Sequence, residues 1–182
     1  MERKNIVITG LMGSGKTTLG RLVARKLNRS FIDTDEYLVS NYGPASDILN
    51  LPNGDEIFRL TESKVALDLS KQNNLVISTG GRFMLNQKNI DLMQENGEVY
   101  CLQAALTDIV NRLNAANGET YRPRFEKAND KLKLMEELEK QSNPYFEQFI
   151  KIQTSGRSLA DITTEIVSSF TQKAHRRFKP DS

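Results

Sequence analysis

The chain predicts an α/β fold in which a parallel sheet carries helices on both faces. Short β-branched or apolar runs alternate with helical patterns along its length, and a glycine-rich loop joins the first strand to the first helix. At 182 residues it has the size of one domain. Such a domain buries about 70% of its unfolded surface and needs no disulfide or metal to hold it.

Each element has its own signal. Ile6-Val7-Ile8-Thr9 reads as a buried first strand, followed by a helix with Leu19, Leu22, Val23 and Leu27 on one face. Ser30-Phe31-Ile32-Asp33 reads as the second strand and Leu75-Val76-Ile77-Ser78-Thr79 as the third. Glu98-Val99-Tyr100-Cys101-Leu102 and Phe149-Ile150-Lys151-Ile152-Gln153 complete the set. Helical patterns fill the gaps over Glu56–Lys71, Gln87–Glu95, Thr107–Leu113, Asp130–Lys140 and Ser158–Phe170, the last with Ser158 and Asp161 in capping positions. Two stretches rich in proline, glycine and polar residues, Asn41–Asp55 and Asn114–Asn129, are expected to be loops, the second a candidate lid.

The most informative residues are Gly10-Leu11-Met12-Gly13-Ser14-Gly15-Lys16-Thr17, which match the P-loop pattern G-x-x-x-x-G-K-[ST] between a strand and a helix. Glycines let the backbone turn tightly and approach phosphate oxygens, while amide N–H groups and the positive end of the helix dipole face the anion. Lys16 is placed to reach the β- and γ-phosphates of a nucleoside triphosphate, and Thr17 to offer its hydroxyl to Mg²⁺.

Composition narrows the function classes. There are 25 basic and 23 acidic residues, a balance that does not point to nucleic acid, although Lys173–Lys179 is locally basic. A helix end complementing its dipole explains that tail, and His175 within it is assigned no chemistry. The single cysteine, Cys101, lies in an apolar run and is expected to be a buried, inert thiol. Met1-Glu2-Arg3-Lys4 leads straight into the first strand without a secretory signal, and no apolar run is long enough to span a bilayer. A cytoplasmic protein is expected, acting on small molecules and not on nucleic acid or membrane, with a size that fits a monomer.

Three further clusters fall where predicted strands or helices meet. Asp33-Thr34-Asp35 places two carboxylates at the end of the second strand, one suited to a water of the Mg²⁺ shell and the other to orienting or deprotonating a hydroxyl; Asp33 or Thr34 equally suits a helix cap. Arg59 and Glu62, three residues apart, share a helical face. They form a surface ion pair or, if the face turns into a cleft, a carboxylate-binding arginine oriented by its acid. Thr79-Gly80-Gly81-Arg82 is either a plain turn or a close backbone approach to a ligand.

Taken in order, Gly10–Thr18, Phe31–Asp35, Phe58-Arg59 with Glu62, Ser78–Gly81, Arg112 and Arg122-Pro123 make the chain resemble the shikimate kinase family from about Ile6 to Ile166. The resemblance implies a three-layer P-loop NTPase fold like that of nucleoside monophosphate kinases, with a five-stranded parallel sheet, and transfer of the ATP γ-phosphate to the 3-hydroxyl of shikimate. It implies one domain over 1–182, with an acceptor-binding region at about 34–62 and a mobile lid at about 114–129. ATP would be held by Gly13, Ser14, Gly15, Lys16, Thr17 and Thr18, with Arg112 near adenine and Arg122 brought from the lid onto the phosphates. Thr17 and Asp33 would serve Mg²⁺. The acceptor would meet Asp35, Arg59, Gly80, Gly81 and Arg82, and catalysis would rest on Lys16, Asp35 and Arg122. Arg124 and Lys127 are left as solvated surface cations.

Two positions depart from the family pattern. Arg82 stands where a third glycine is usual, and Ser142 where an arginine usually precedes Asn143-Pro144-Tyr145-Phe146 by helping to bind the substrate carboxylate. Arg82 is therefore a candidate to restore the missing contact. The competing readings are a kinase for another small hydroxylated acid, or a nucleotide-binding regulatory protein with a decayed pocket.

Overall fold

A computed structural model describes residues 4–116 and 123–176. The described strands are β1 (Asn5–Gly10), β2 (Ser30–Asp33), β3 (Leu75–Ser78), β4 (Gly97–Gln103) and β5 (Ile150–Gln153). They form one sheet in the order β2-β3-β1-β4-β5, with each adjacent pair parallel. The strands lie where the apolar runs predict them. β1 is central: Val7 stands opposite Ile77 of β3 and Val99 of β4, and the whole strand is buried, which is why it reads as a continuous apolar run instead of an alternating one.

Alternation of side chains sends neighbouring residues to opposite layers. Val7, Ile77, Val99 and Cys101 pack against α4 (Gly54–Ser70), α5 (Gln87–Glu95) and the end of α8 (Lys131–Phe146), through Val65, Leu69, Ile90, Met93 and Phe146. Ile6, Ile8, Val76, Tyr100 and Leu102 face α1 (Lys16–Leu27) and α9 (Leu159–Arg176), meeting Leu19, Val23, Ile162 and Ile166. Full burial of each such aliphatic side chain contributes roughly 1.5–3 kcal/mol, so these two faces fix the register of the sheet. A third cluster joins α6 (Leu106–Ala115), α7 (Pro123–Glu126) and α8 to Leu11 and Met12 of the glycine-rich loop.

Two expectations are corrected. The stretch Asn41–Asp55 is not simply a loop. α2 (Thr34–Tyr42) ends at Gly43, Pro44 then caps α3 (Ala45–Leu49), and Asn53, with φ 60°, turns the chain into α4. Its prolines and glycines punctuate short helices, and buried Ile48 anchors the middle one to the core. The helix expected over Asp130–Lys140 starts as predicted, with the Asp130 carboxylate accepting from the Lys133 N–H, but continues through Pro144 to Phe146. The hydrogen bond that Pro144 cannot donate would have gone to the carbonyl of Lys140, an exposed residue that water can serve. Phe146 meanwhile packs into the core. The short 3₁₀ turn Phe83–Leu85 carries no sequence signal strong enough to predict, yet it buries Phe83 and Met84.

Candidate active site

The loops after β1, β2 and β3 leave the same edge of the sheet, because parallel strands share one carboxyl end, and the clusters read from the sequence meet there. In the loop after β1, Gly13 has φ 75° and Gly15 has φ 100°, where an L side chain is strained. A Cβ on Gly13 would also come within 2.8 Å of the Leu113 side chain, so the bend sits tightly under α6. Gly15 caps α1, and the first helical residue is Lys16, so the amides of the helix N-terminus open onto the loop. Lys16 Nζ donates to the carbonyls of Gly10 and Leu11, each at 3.0 Å, which stretches the amine across the bend. The Ser14 hydroxyl is buried with no hydrogen-bond partner among the described residues. An orphan of this kind costs about 1–3 kcal/mol and suits a loop that completes its bonding with a polyanion.

Thr17 Oγ1 donates to Asp33 Oδ2 at 3.0 Å, joining the start of α1 to the end of β2. The other oxygen, Oδ1, accepts from the Asp35 N–H at 3.0 Å. Asp33 caps α2 with one oxygen and accepts from Thr17 with the other, so the cap leaves its second oxygen facing the start of α1. This pair of oxygen donors fits a hard divalent cation such as Mg²⁺, which takes one or two protein oxygens, water and phosphate oxygens.

Asp35 lies in the first turn of α2 with its carboxylate reachable from the cleft. Although the residue is exposed, desolvation by the protein around its carboxylate raises its pKa above the ordinary carboxylate value, the Asp33 charge raises it further, and Lys16 pulls it down. Its position is set by two non-local contacts. Gly80 N–H donates to the buried Thr34 hydroxyl at 2.8 Å, and a Cβ on Gly80 would stand 2.2 Å from Asp35 Oδ1. Gly80 is therefore glycine because the carboxylate occupies the space of its side chain. Thr34, weighed in the sequence only as a cap, is the tie between the loop after β3 and the helix that carries Asp35. Nothing lies within 4 Å of a Cβ on Gly81, so its backbone borders open space.

Arg59 and Glu62 of α4 pair through Nη1 and Oε2. The Glu62 side chain is only 5% exposed, whereas Arg59 keeps 29%, so the acid is buried behind an arginine that still reaches solvent. Burial raises the Glu62 pKa in spite of the Arg59 charge and hydrogen bond. The pair is not the exposed surface bridge that its spacing allows. Arg82 lies within electrostatic reach of Arg59, Arg124, Glu62 and Asp55; burial and the two arginines lower its pKa, against the pull of the acids. Arg124 is exposed on α7, in keeping with a solvated surface cation, and acts on Arg82 only through its charge.

Arg112 Nη2 lies 3.5 Å from the Thr154 carbonyl, bridging α6 to the segment after β5. Thr18 is exposed on the first turn of α1. Arg122 lies outside the described residues, as does the end of the basic tail. Ser142 is 3% exposed and its hydroxyl donates to the Leu138 carbonyl at 2.7 Å. It borders a cavity of about 250 Å³ with Cys101, Gln103, Ile109 and Phe146, a space that shares Leu11 with the glycine-rich loop but includes neither Asp35 nor Arg59. Among the described residues, no helix is long and apolar enough to cross a membrane.

A glycine-rich bend on a helix N-terminus, facing two acids across a parallel sheet edge, defines a P-loop phosphotransferase with a hydroxyl acceptor. Comparison with known proteins narrows the class. The shikimate kinase profile matches residues 12–171. A shikimate kinase from Sulfurihydrogenibium sp. is 32% identical over 93% of this chain and 99% of its own length. One from Caldicellulosiruptor bescii is 47% identical over 110 residues, 60% of this chain and 64% of that protein. Among solved structures, the Acinetobacter baumannii shikimate kinase in complex with shikimate superposes with a TM-score of 0.82 at 25% identity, covering 94% of each chain. The chain belongs to the shikimate kinase family.

Proposed function

We propose that this protein transfers the γ-phosphoryl group of ATP to the 3-hydroxyl of shikimate. The observation that carries the reading is the joint placement of the glycine-rich bend, the Thr17–Asp33 pair and Asp35, held against Gly80, at one sheet edge. Family membership supplies the acceptor, since the relatives that match are shikimate kinases.

In this mechanism the loop amides, Ser14, Lys16 and Thr18 hold the triphosphate, and Arg112 borders the base. Asp35 accepts the proton of the attacking hydroxyl as its oxygen bonds to the γ-phosphorus. The bond from that phosphorus to the bridging β-γ oxygen breaks, and ADP leaves with the electron pair. Lys16 neutralises charge on the transferring group. Thr17 and Asp33 are the residues that would hold Mg²⁺ and its waters, and the ion when bound offsets phosphate charge. Arg59, oriented by Glu62, meets the acceptor carboxylate, and Gly80 and Gly81 border the acceptor. Segment 114–129 serves as the lid that brings Arg122 to the phosphates, and segment 34–62 as the acceptor-binding region, within one domain. The same reading describes a monomeric cytoplasmic enzyme.

A coupled ADP-release assay with shikimate tests it. The expected result is acceptor-dependent turnover that Asp35→Asn abolishes. Turnover on a different hydroxy acid alone would replace the acceptor, and ATP binding without turnover on any acid of a panel would replace the enzyme with a nucleotide-dependent regulator.

A further inference from the structure

The two acids after β2 are held in different ways. Both carboxylate oxygens of Asp33 are hydrogen-bonded, one to the Asp35 N–H and the other to the Thr17 hydroxyl. The Asp35 carboxylate makes no hydrogen bond with another described residue, and the residue is exposed. A backbone is what limits it. A Cβ on Gly80 would stand 2.2 Å from Asp35 Oδ1 and 3.1 Å from Oδ2, so the carboxylate rests on the face of Gly80 that a side chain would occupy. A carboxylate held by contact alone is oriented only as well as the surface beneath it is fixed.

That surface hangs on Thr34. The ladder between β2 and β3 ends at the register pair Asp33 and Ser78, and the next residue, Thr79, donates its N–H to the Ile8 carbonyl of β1 at 3.0 Å. Gly80 N–H then crosses back to the Thr34 hydroxyl at 2.8 Å. Thr34 is 2% exposed and Gly80 is buried, so water does not stand in for that bond. Capping does not account for the hydroxyl, because Asp33 Oδ1 already caps α2. Branching at the Thr34 Cβ restricts the directions its hydroxyl can take. Thr34 and Asp35 are consecutive in the first turn of α2, so a shift of Gly80 away from one is a shift away from the other.

We propose that Thr34 is a positioning residue for the phosphoryl transfer: its hydroxyl holds Gly80 against Asp35, and the Gly80 backbone, standing where a hydrogen-bond partner would, keeps the carboxylate in one orientation before the acceptor arrives. Thr34 touches no reacting atom and acts through Gly80. This rests on the proposed reaction, in which Asp35 takes the proton of the acceptor hydroxyl.

The test compares wild type, Thr34→Val and Thr34→Ser by coupled ADP release with shikimate, beside amide hydrogen exchange at Gly80. Valine keeps the shape and removes the hydroxyl. Thr34→Val is expected to lower kcat about 10- to 100-fold, the scale for misplacing a reacting group by about 1 Å, with the KM for ATP changed by less than about threefold. Gly80 exchange should quicken at least about tenfold, the factor for losing about 1.4 kcal/mol of protection. Thr34→Ser keeps the bond and should restore kcat to within about threefold of wild type. In a Gly80→Ala background, where the added methyl displaces Asp35 directly, Thr34→Val should lower kcat by less than about threefold more, because both changes act on one contact. A Thr34→Val kcat within twofold of wild type, a Thr34→Ser as damaged as Thr34→Val, or losses that multiply with Gly80→Ala would overturn the inference. Should Thr34→Val fail to fold, fast exchange of Gly80 in folded wild type, or a Thr34→Ser without kcat, overturns it equally. A wild type that turns over no acceptor refutes the proposed function first, and the role of Thr34 falls with it; an active wild type matched by Thr34→Val sinks this role alone.

Discussion

Adding one methyl group at Gly80 isolates the role of Asp35. The new Cβ would stand 2.2 Å from Asp35 Oδ1, 3.0 Å from Cγ and 3.1 Å from Oδ2. Carbon and oxygen settle at about 3.3 Å even in a weak hydrogen bond, so the carboxylate must retreat by about 1 Å. Gly80 does not have the positive φ that strains a side chain, and the atom it strikes is the end of a side chain, so Gly80→Ala leaves the backbone in place. Rotating Asp35 off its preferred angle costs about 0.5–1.5 kcal/mol, a fall in melting temperature of roughly 1–6 °C for a domain this size. Misplacing a reacting group by about 1 Å costs on the order of 10²-fold in rate. The expected outcome is a kcat about 100-fold lower with ATP KM unchanged, measured by coupled ADP release beside a thermal melt. A kcat within twofold of wild type would refute the placement of Asp35 at the reacting hydroxyl. Collapse of the fold would show instead that Gly80 serves backbone packing.

Other outcomes follow from the charges. Arg59→Ala leaves the Glu62 carboxylate 5% exposed without its partner. The expected loss is about 2 kcal/mol by denaturant melt, below the range for a fully buried pair because Arg59 keeps 29% exposure. Arg59→Ala with Glu62→Gln should recover most of that stability and none of the acceptor affinity. Burial, then Asp33, raises the Asp35 pKa against Lys16, so the acid limb of kcat/KM is expected above the ordinary aspartate range, and Asp33→Asn should move it to lower pH. The sign for stability is the reverse of the usual carboxylate case. Ionising Asp35 costs more in the folded chain than in the unfolded one, so stability falls as pH rises from the unfolded pKa through the raised folded one. At neutral pH Asp35→Asn should melt above wild type while losing turnover. Burial pushes the Cys101 thiol up to about 11, so iodoacetamide at pH 8 should label it only after denaturation.

Much of this was legible in the linear chain for reasons that are local. A G-x-x-x-x-G-K-T run constrains its own backbone, and the positive φ at Gly13 and Gly15 is a property of the loop itself. Strands announce themselves as short apolar runs, as in Asn5–Gly10, and helices by period, as in Gln87–Glu95, because the burial of each is written in consecutive residues. The misreadings arose where local signals are ambiguous. Pro44 and Pro144 read as breaks, yet one opens a short helix and the other is carried inside one held by core contacts.

By itself, then, the order of residues determined that this protein bends glycines around an anion at the end of a strand and carries two acids at the end of the next. Tertiary structure alone decided that β3 lies between β2 and β1, and so brings Gly80 onto Thr34 and Asp35. It likewise decided that Glu62 is buried behind Arg59. Contacts between residues tens of positions apart depend on which strands pair and how layers pack, and no spacing along the chain encodes that distance.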